Sequence, residues 1–283
     1  MDKVYFVSSG SEAVEASLKL AKQYFNEIGK PQKHKVISRK QSYHGNTLGA
    51  LAAGGNVWRR SFFEDLLIDT SLISPCYQYR HQSPNESSLD YGLRVANELE
   101  KEIITRSSEN VMAFIAETVV GATAGALTPV EGYFKRIREI CDQYSVLLIL
   151  DEVMCGMGRT GSLFACDDEE IVPDIITIAK GLGAGYQPIG AMLCQDFIYE
   201  AIANGTGFFQ HGHTYLGHPV ACAGSLAVMN KLINENFPNQ VKEKGEILQQ
   251  KLEKTFGQHE FIGDIRGRGL FRGIEIVKNR ASK

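Results

Sequence analysis

The run Thr177-Ile178-Ala179-Lys180-Gly181-Leu182-Gly183 sets one lysine at the end of an apolar, β-branched segment, where the chain turns into glycines. A lysine so placed can be a covalent anchor. Its amine stands at the mouth of a sheet, small residues leave room for a planar ligand, and the apolar strand keeps part of the water away. With 30 Lys and Arg in the chain, a solvated lysine in a turn is the simpler reading of this segment by itself. Four other segments bear on it. Ser8-Ser9-Gly10-Ser11 offers free N–H groups, a close backbone approach and hydroxyls, which suit a phosphate as well as an ordinary capped helix start. Ser42-Tyr43-His44-Gly45-Asn46 presents an aromatic face, either for stacking on a ring or for packing in a polar turn. Ala116-Glu117-Thr118 and Leu150-Asp151-Glu152-Val153 each put a carboxylate after an apolar run, where burial without a partner is costly.

A carboxylate at Asp151 facing a heteroaromatic nitrogen holds that nitrogen protonated and makes the ring an electron sink. Lys180, one strand later, can form an imine with an aldehyde on the same ring. Together they describe pyridoxal phosphate, with its phosphate on Gly10 and Ser11 and its ring between Tyr43 and Val153. A metal held by Asp151 and Glu152 fits less well, because neighbours on a strand face opposite ways and no histidine cluster joins them.

Such residues need a scaffold that brings several strand ends together. Short β-branched runs alternate with helical periodicity through the first 200 residues, roughly, which is the pattern of a parallel sheet wrapped by helices. Strands are expected at residues 1–7, 35–38, 112–116, 146–150, 175–179 and 189–194. Ser9-x-x-Glu12 reads as a capping box opening a helix whose apolar stripe includes Ala13, Ala16, Leu20 and Phe25. Residues 133–144 read as an amphipathic helix, 219–235 as a long helix carrying small residues and 239–256 as a second, more charged one. Residues 71–90, rich in Ser, Pro, Asn and Tyr, read as a long surface excursion. Trp58 and the pair Arg59-Arg60 read as part of a surface helix. The expected organisation is a large domain over 1–236 and a partial small domain over 237–283, whose last strand, 273–277, has few obvious partners.

At 283 residues the chain can bury a substantial core. The net charge of −3, with no block of like charges, gives no footprint for nucleic acid or a membrane surface, so the expected partners are small molecules. No apolar stretch is long enough to span a bilayer and no signal peptide is evident, which places the chain in the cytoplasm by expectation. Six scattered cysteines without a C-x-x-C pair argue against a disulfide framework or a zinc site.

The chain resembles the class III, fold type I aminotransferases that depend on pyridoxal phosphate. This group contains ω-amino acid:pyruvate, 4-aminobutyrate, ornithine and diaminopelargonate-forming enzymes. The resemblance rests on ordered motifs along the whole chain: Phe6-Val7-Ser8-Ser9-Gly10-Ser11-Glu12-Ala13, Tyr43-His44-Gly45, Ala116-Glu117 with Val120-Gly121-Ala122, and Asp151-Glu152-Val153 with Gly158-Arg159-Thr160-Gly161. It continues through Lys180-Gly181, His213-Thr214-Tyr215-x-Gly217-His218-Pro219 and Arg266-Gly267-x-Gly269-Leu270. It implies the type I transferase fold, a mainly parallel sheet with helices on both faces and a small α+β domain. Lys180 is then the Schiff-base lysine and Asp151 the partner of the ring nitrogen. Tyr43 and Val153 enclose the ring, Gly10 and Ser11 hold the phosphate, and Glu117 lies close to the cofactor. His44 carries no assigned role, and Arg159 supports the loop after its strand. Thr214 matches a threonine that reaches the phosphate of the neighbouring subunit's cofactor, so a homodimer with shared sites is implied.

The implied reaction is a ping-pong amino transfer from an amine or ω-amino acid to a keto acid such as pyruvate. Family members are longer at both ends, which leads us to expect a chain truncated at both. Two other functions fit the same residues. One is an inactive remnant that at most binds cofactor or oligomerises. The other is an aminomutase, racemase or lyase on the same scaffold.

Overall fold

The computed structural model describes residues 1–281 and 283. Its centre is a seven-stranded sheet built from β1 (Lys3–Val7), β2 (Lys35–Arg39), β3 (Thr70–Ile73), β4 (Val111–Glu117), β5 (Leu147–Asp151), β6 (Ile175–Ile178) and β7 (Gly190–Cys194), in the order β1-β7-β6-β5-β4-β2-β3. The pairs β3–β2, β2–β4, β4–β5 and β5–β6 are parallel, whereas β7 runs antiparallel to both β6 and β1. β1 therefore points the same way as the parallel strands, and of these seven only β7 opposes them.

Helices α1 (Gly10–Glu27), α2 (Leu48–Ala53), α3 (Val57–Arg60), α4 (Gln78–His81), α5 (Ser88–Thr105), α6 (Tyr133–Gln143) and α7 (Asp196–Asn204) connect these strands or follow them. Every residue of β4 and β5 is buried, as expected for strands covered on both faces. Successive residues feed two separate cores. Phe114, Leu148 and Leu150 join Tyr91, Leu99, Phe134 and Ile137 of α5 and α6. Ile115, Leu147 and Ile149 join Ala13, Leu20 and Phe25 of α1 and Ile198 of α7. From Ala113 onward this alternation sends Phe114 and Ile115 to opposite sides and fixes the register of the residues that follow them.

Two expectations change. Residues 71–90 are not one surface excursion. Ser71 to Ile73 lie in β3, Cys76 and Tyr77 are buried, residues 78–81 form α4, and α5 begins at Ser88. The reason is pairing: β3 aligns with β2 from Val36 to Arg39, and this edge contact stabilises a short strand with only a weak apolar pattern of its own. α5 is a further element absent from the expected set, although Ser87 caps it and Tyr91, Val95, Leu99 and Ile103 form a buried stripe. The opening of α1 differs in detail: Ser9 Oγ accepts the Glu12 N–H at 3.2 Å, but the Glu12 carboxylate accepts from Ser8 N at 2.7 Å rather than closing back on Ser9.

After the sheet come α8 (Pro219–Asn234), α9 (Phe237–Phe256) and a hairpin of β8 (Ile262–Arg268) and β9 (Phe271–Ile276). The final strand does have a partner: β8 pairs with it antiparallel, with Arg266 opposite Gly273. The hairpin is locked to the large sheet's surroundings through Glu275, which accepts from Arg266 Nη1 at 2.6 Å and Arg80 Nε at 2.7 Å, and from the Tyr77 hydroxyl. Arg266 Nε also donates to Gly125 O at 3.0 Å, tying the hairpin to the loop after β4. All six cysteines are free. Among the described residues, no helix is long and apolar enough to cross a membrane and no cluster of metal-ligating side chains occurs.

Candidate active site

The carboxyl ends of β1, β2, β4, β5 and β6 open on one side of the sheet, where α/β folds place their ligands. A cleft of about 300 Å³ lies there, lined by Gly10 and Ser11 after β1, Tyr43 and His44 after β2, Glu117 ending β4, Asp151 and Val153 at β5, and Lys180 after β6. Eight of the nine residues singled out from the sequence thus converge on it. Thr214 does not: it sits exposed in a turn before α8, outside the cleft. A hollow of about 450 Å³ between α4 and the hairpin contains none of them.

Parallel pairing sets Glu117 directly beside Asp151, so both carboxylates face the same way. Both are almost fully buried. Asp151 Oδ1 accepts the Val153 N–H at 2.9 Å, and Oδ2 lies 2.8 Å from His44 Nδ1. Because a carboxylate only accepts, Nδ1 carries the hydrogen of that bond. The opposite ring nitrogen, Nε2 of His44, is buried without a partner. Each Asp151 oxygen retains a lone pair after these contacts, so the group can accept a further hydrogen bond from the cleft.

Glu117 accepts from Tyr43 N at 3.0 Å and from Gly121 N at 2.9 Å. Burial pushes its carboxyl above the ordinary range and the Asp151 charge adds to this, while His44 and the two N–H donors pull it back. Through these bonds Glu117 fastens the Tyr43 loop to the loop after β4. Glu152, one residue past Asp151, faces away. It accepts from Ala165 N at 2.8 Å and Cys166 N at 3.0 Å, is fully buried, and is likewise pushed up by burial. It anchors the segment after β5 and holds no place in the cleft, in line with the alternation along a strand.

Beside Val153 and Ala179, α1 begins at Gly10. A Cβ there would lie 2.8 Å from Val153 Cγ1, so only glycine allows this approach. Ser11 Oγ accepts the Asn46 N–H at 3.0 Å and keeps its own hydrogen for donation. Gly45, with φ +136°, lies so close that a Cβ would come within 2.7 Å of that same oxygen. Lys180 has φ +37°, in the left-handed region uncommon for a residue with a side chain. Its backbone is held by the turn Gly183 N–H to Lys180 O, 3.2 Å, and its Nζ makes no hydrogen bond or ion pair among the described residues. Strain of this kind, of the order of 1–3 kcal/mol, persists where surrounding structure enforces it.

Sequence reasoning missed the His44–Asp151 bond, since separation along the chain gives no sign of it. It also missed Met154, Gln187 and Ile189 on the cleft wall. Arg159 contributes its carbonyl, which accepts Leu270 N–H at 3.2 Å and joins the loop after β5 to the hairpin turn.

Comparison with known proteins identifies the family. The profile of the class-III aminotransferase family covers residues 1–283. An aminotransferase of Gibberella zeae is 44% identical over 287 residues, spanning 100% of this chain and 56% of the relative. A probable aminotransferase of Mycobacterium tuberculosis is 43% identical, across 100% of this chain and 60% of its own length. Gamma aminobutyrate transaminase 2 of Solanum lycopersicum is 42% identical, across 99% and 62%. Among solved structures, the omega transaminase of Pseudomonas jessenii in complex with PMP superposes with a TM-score of 0.95 at 36% identity, covering 100% of this chain and 63% of that one. The chain thus spans about three-fifths of the length of the relatives it matches. With its fold and its sequence in agreement, the chain belongs to the class-III aminotransferases, a family dependent on pyridoxal phosphate.

Proposed function

We propose that the cleft carries out amino-group transfer from a primary amine or amino acid to a keto acid such as pyruvate, in two half-reactions. The observation that carries this reading is the meeting of Lys180, Asp151, Tyr43, Val153, Gly10 and Ser11 around one cleft at the strand ends. These residues fit pyridoxal phosphate. Gly10 and Gly45 clear the approach to the α1 N-terminus, where N–H groups and the Ser11 hydroxyl suit a phosphate. Asp151 offers an unfilled lone pair to a ring nitrogen, and Tyr43 and Val153 supply two flat or apolar surfaces for a ring. When bound, the cofactor supplies an aldehyde and an electron-withdrawing ring.

Lys180 Nζ would hold such an aldehyde and, once freed by a donor amine, would be the group placed to take a proton from the donor's carbon. Asp151 would keep the ring nitrogen protonated. His44 keeps Asp151 in place through Nδ1, and Glu117 keeps Tyr43 and the loop after β4 in register. Thr214, outside this cleft, serves the site of a second subunit in a homodimer.

The test is the visible absorption spectrum of the purified chain after incubation with pyridoxal phosphate and dialysis, before and after L-alanine or 1-phenylethylamine. A retained band bleached by amine, with a keto product formed, supports transamination. Absence of a retained band removes the reading, and bleaching without a keto product assigns the scaffold to another amine reaction.

His44 yields a further expectation. Loss of a hydrogen bond to a charged group removes roughly 1.5–3 kcal/mol, so His44→Ala should slow the half-reaction about tenfold or more. His44→Asn, which can keep a donor, should lose less. Rapid-mixing spectra of the three proteins check this, and equal rates would take the positioning role from His44.

A further inference from the structure

Tyr43 has a second neighbour besides the cleft. The Arg59 guanidinium lies 4.9 Å from its ring centroid and 5.5 Å from that of Trp58. The adjacent Arg60 is differently employed: its Nη1 donates to Gly54 O at 2.8 Å and to the Ala52 carbonyl, closing the end of α2. The Arg59 guanidinium makes no hydrogen bond or ion pair among the described residues. Aromatic rings beside it limit its orientations, while its N–H edge stays free. A guanidinium so presented offers paired donors matched to a carboxylate.

The charge inside the cleft bears on such an edge beside Tyr43. Asp151 and Glu117 both lie within the cleft wall, so an anionic substrate approaches two carboxyl groups. A cation at the rim offsets that repulsion and orients the acid group away from the reacting end. We propose that Arg59 is a specificity-determining residue that binds the carboxylate of an amino acid donor or keto acid acceptor at the Tyr43 rim. The reading as a surface helix residue holds, since Arg59 lies in α3 and is exposed, and its guanidinium sits against the Tyr43 ring. The inference rests on the transamination reading for the class of substrate, and on the stacking geometry for the anion.

Trp58, the single tryptophan of the chain, is a built-in reporter beside the guanidinium. In the cofactor-loaded chain, propionate should shift Trp58 fluorescence with a saturable midpoint. Arg59→Gln should raise that midpoint about tenfold or more, the loss expected for a charged hydrogen-bonded pair, and Arg59→Lys should lie between. The rate ratio of the half-reactions with L-alanine and with 1-phenylethylamine, which lacks a carboxylate, should fall about tenfold in Arg59→Gln by the same reasoning. No saturable response in the parent chain, the same midpoint in all three proteins, or an unchanged ratio overturns the proposal. If amines leave the cofactor band unchanged while propionate binding still depends on Arg59, the transamination reading fails and the anion site stands.

Discussion

Lys180→Ala is expected to lose covalent retention of pyridoxal phosphate while keeping the fold. The side chain is exposed and its Nζ makes no hydrogen bond or ion pair among the described residues, so no packing or ion pair is removed with it. The backbone cost is also small, because alanine at φ +37° meets the same left-handed restriction that lysine meets. Chemistry is affected far more. Removal of a positioned general base alone slows a proton transfer about 10²- to 10⁴-fold, and here the covalent anchor goes too. Borohydride reduction followed by peptide mass analysis is the direct check: the parent should carry the reduced cofactor on the peptide containing Lys180, and the variant should carry none. An adduct of equal yield in the variant would place the anchor on another lysine.

Asp151→Asn is expected to leave that adduct in place and to slow turnover. A neutral amide no longer holds the ring nitrogen protonated, and loss of an electrostatic stabiliser in a water-poor site costs about 10²–10³ in rate. The surroundings can accept the change. The introduced amide retains an oxygen for the Val153 N–H, which the parent carboxylate accepts at 2.9 Å, and its NH₂ can face His44 if the imidazole hydrogen moves from Nδ1 to Nε2. That nitrogen is the buried one without a partner, which makes the new tautomer less favourable and adds to the loss. Turnover equal to the parent's would remove the electron-sink role from Asp151; loss of the adduct itself would show that Asp151 supports the fold of the cleft.

How far the sequence reveals such a site depends on whether its signals are local. Lys180, Asp151 and Glu117 are legible because each ends an apolar run, and a run of buried residues on a parallel sheet points its last residue to the ligand side. Gly10 and Ser11 are legible through the helix start they form. The His44–Asp151 bond is not, because it joins loops of different strands and only the strand order brings them together. β3 escapes for a related reason: a four-residue edge strand is held by its neighbour more than by its own composition. α5, by contrast, carries a readable stripe and cap within its own residues, and its omission reflects the Ser- and Pro-rich segment before it. Arg59 reads as surface because exposure and function are not opposites at the rim of a cleft.

The position of β1 has a consequence for the order in which the chain assembles. Among the described residues its only strand partner is β7, so Val7 waits for Gly190 before its backbone is paired. The closure of such a long loop is entropically unfavourable and slow relative to local contacts. During synthesis β1 therefore stays unpaired until the strand that follows Lys180 has emerged, even though α1 behind it already has β4 and β5 to pack on through Ala13, Leu20 and Phe25. The pairing of β1 would then come late in folding, and a phosphate held at Gly10 and Ser11 would act as a latch between β1 and the strands that close the sheet beside it.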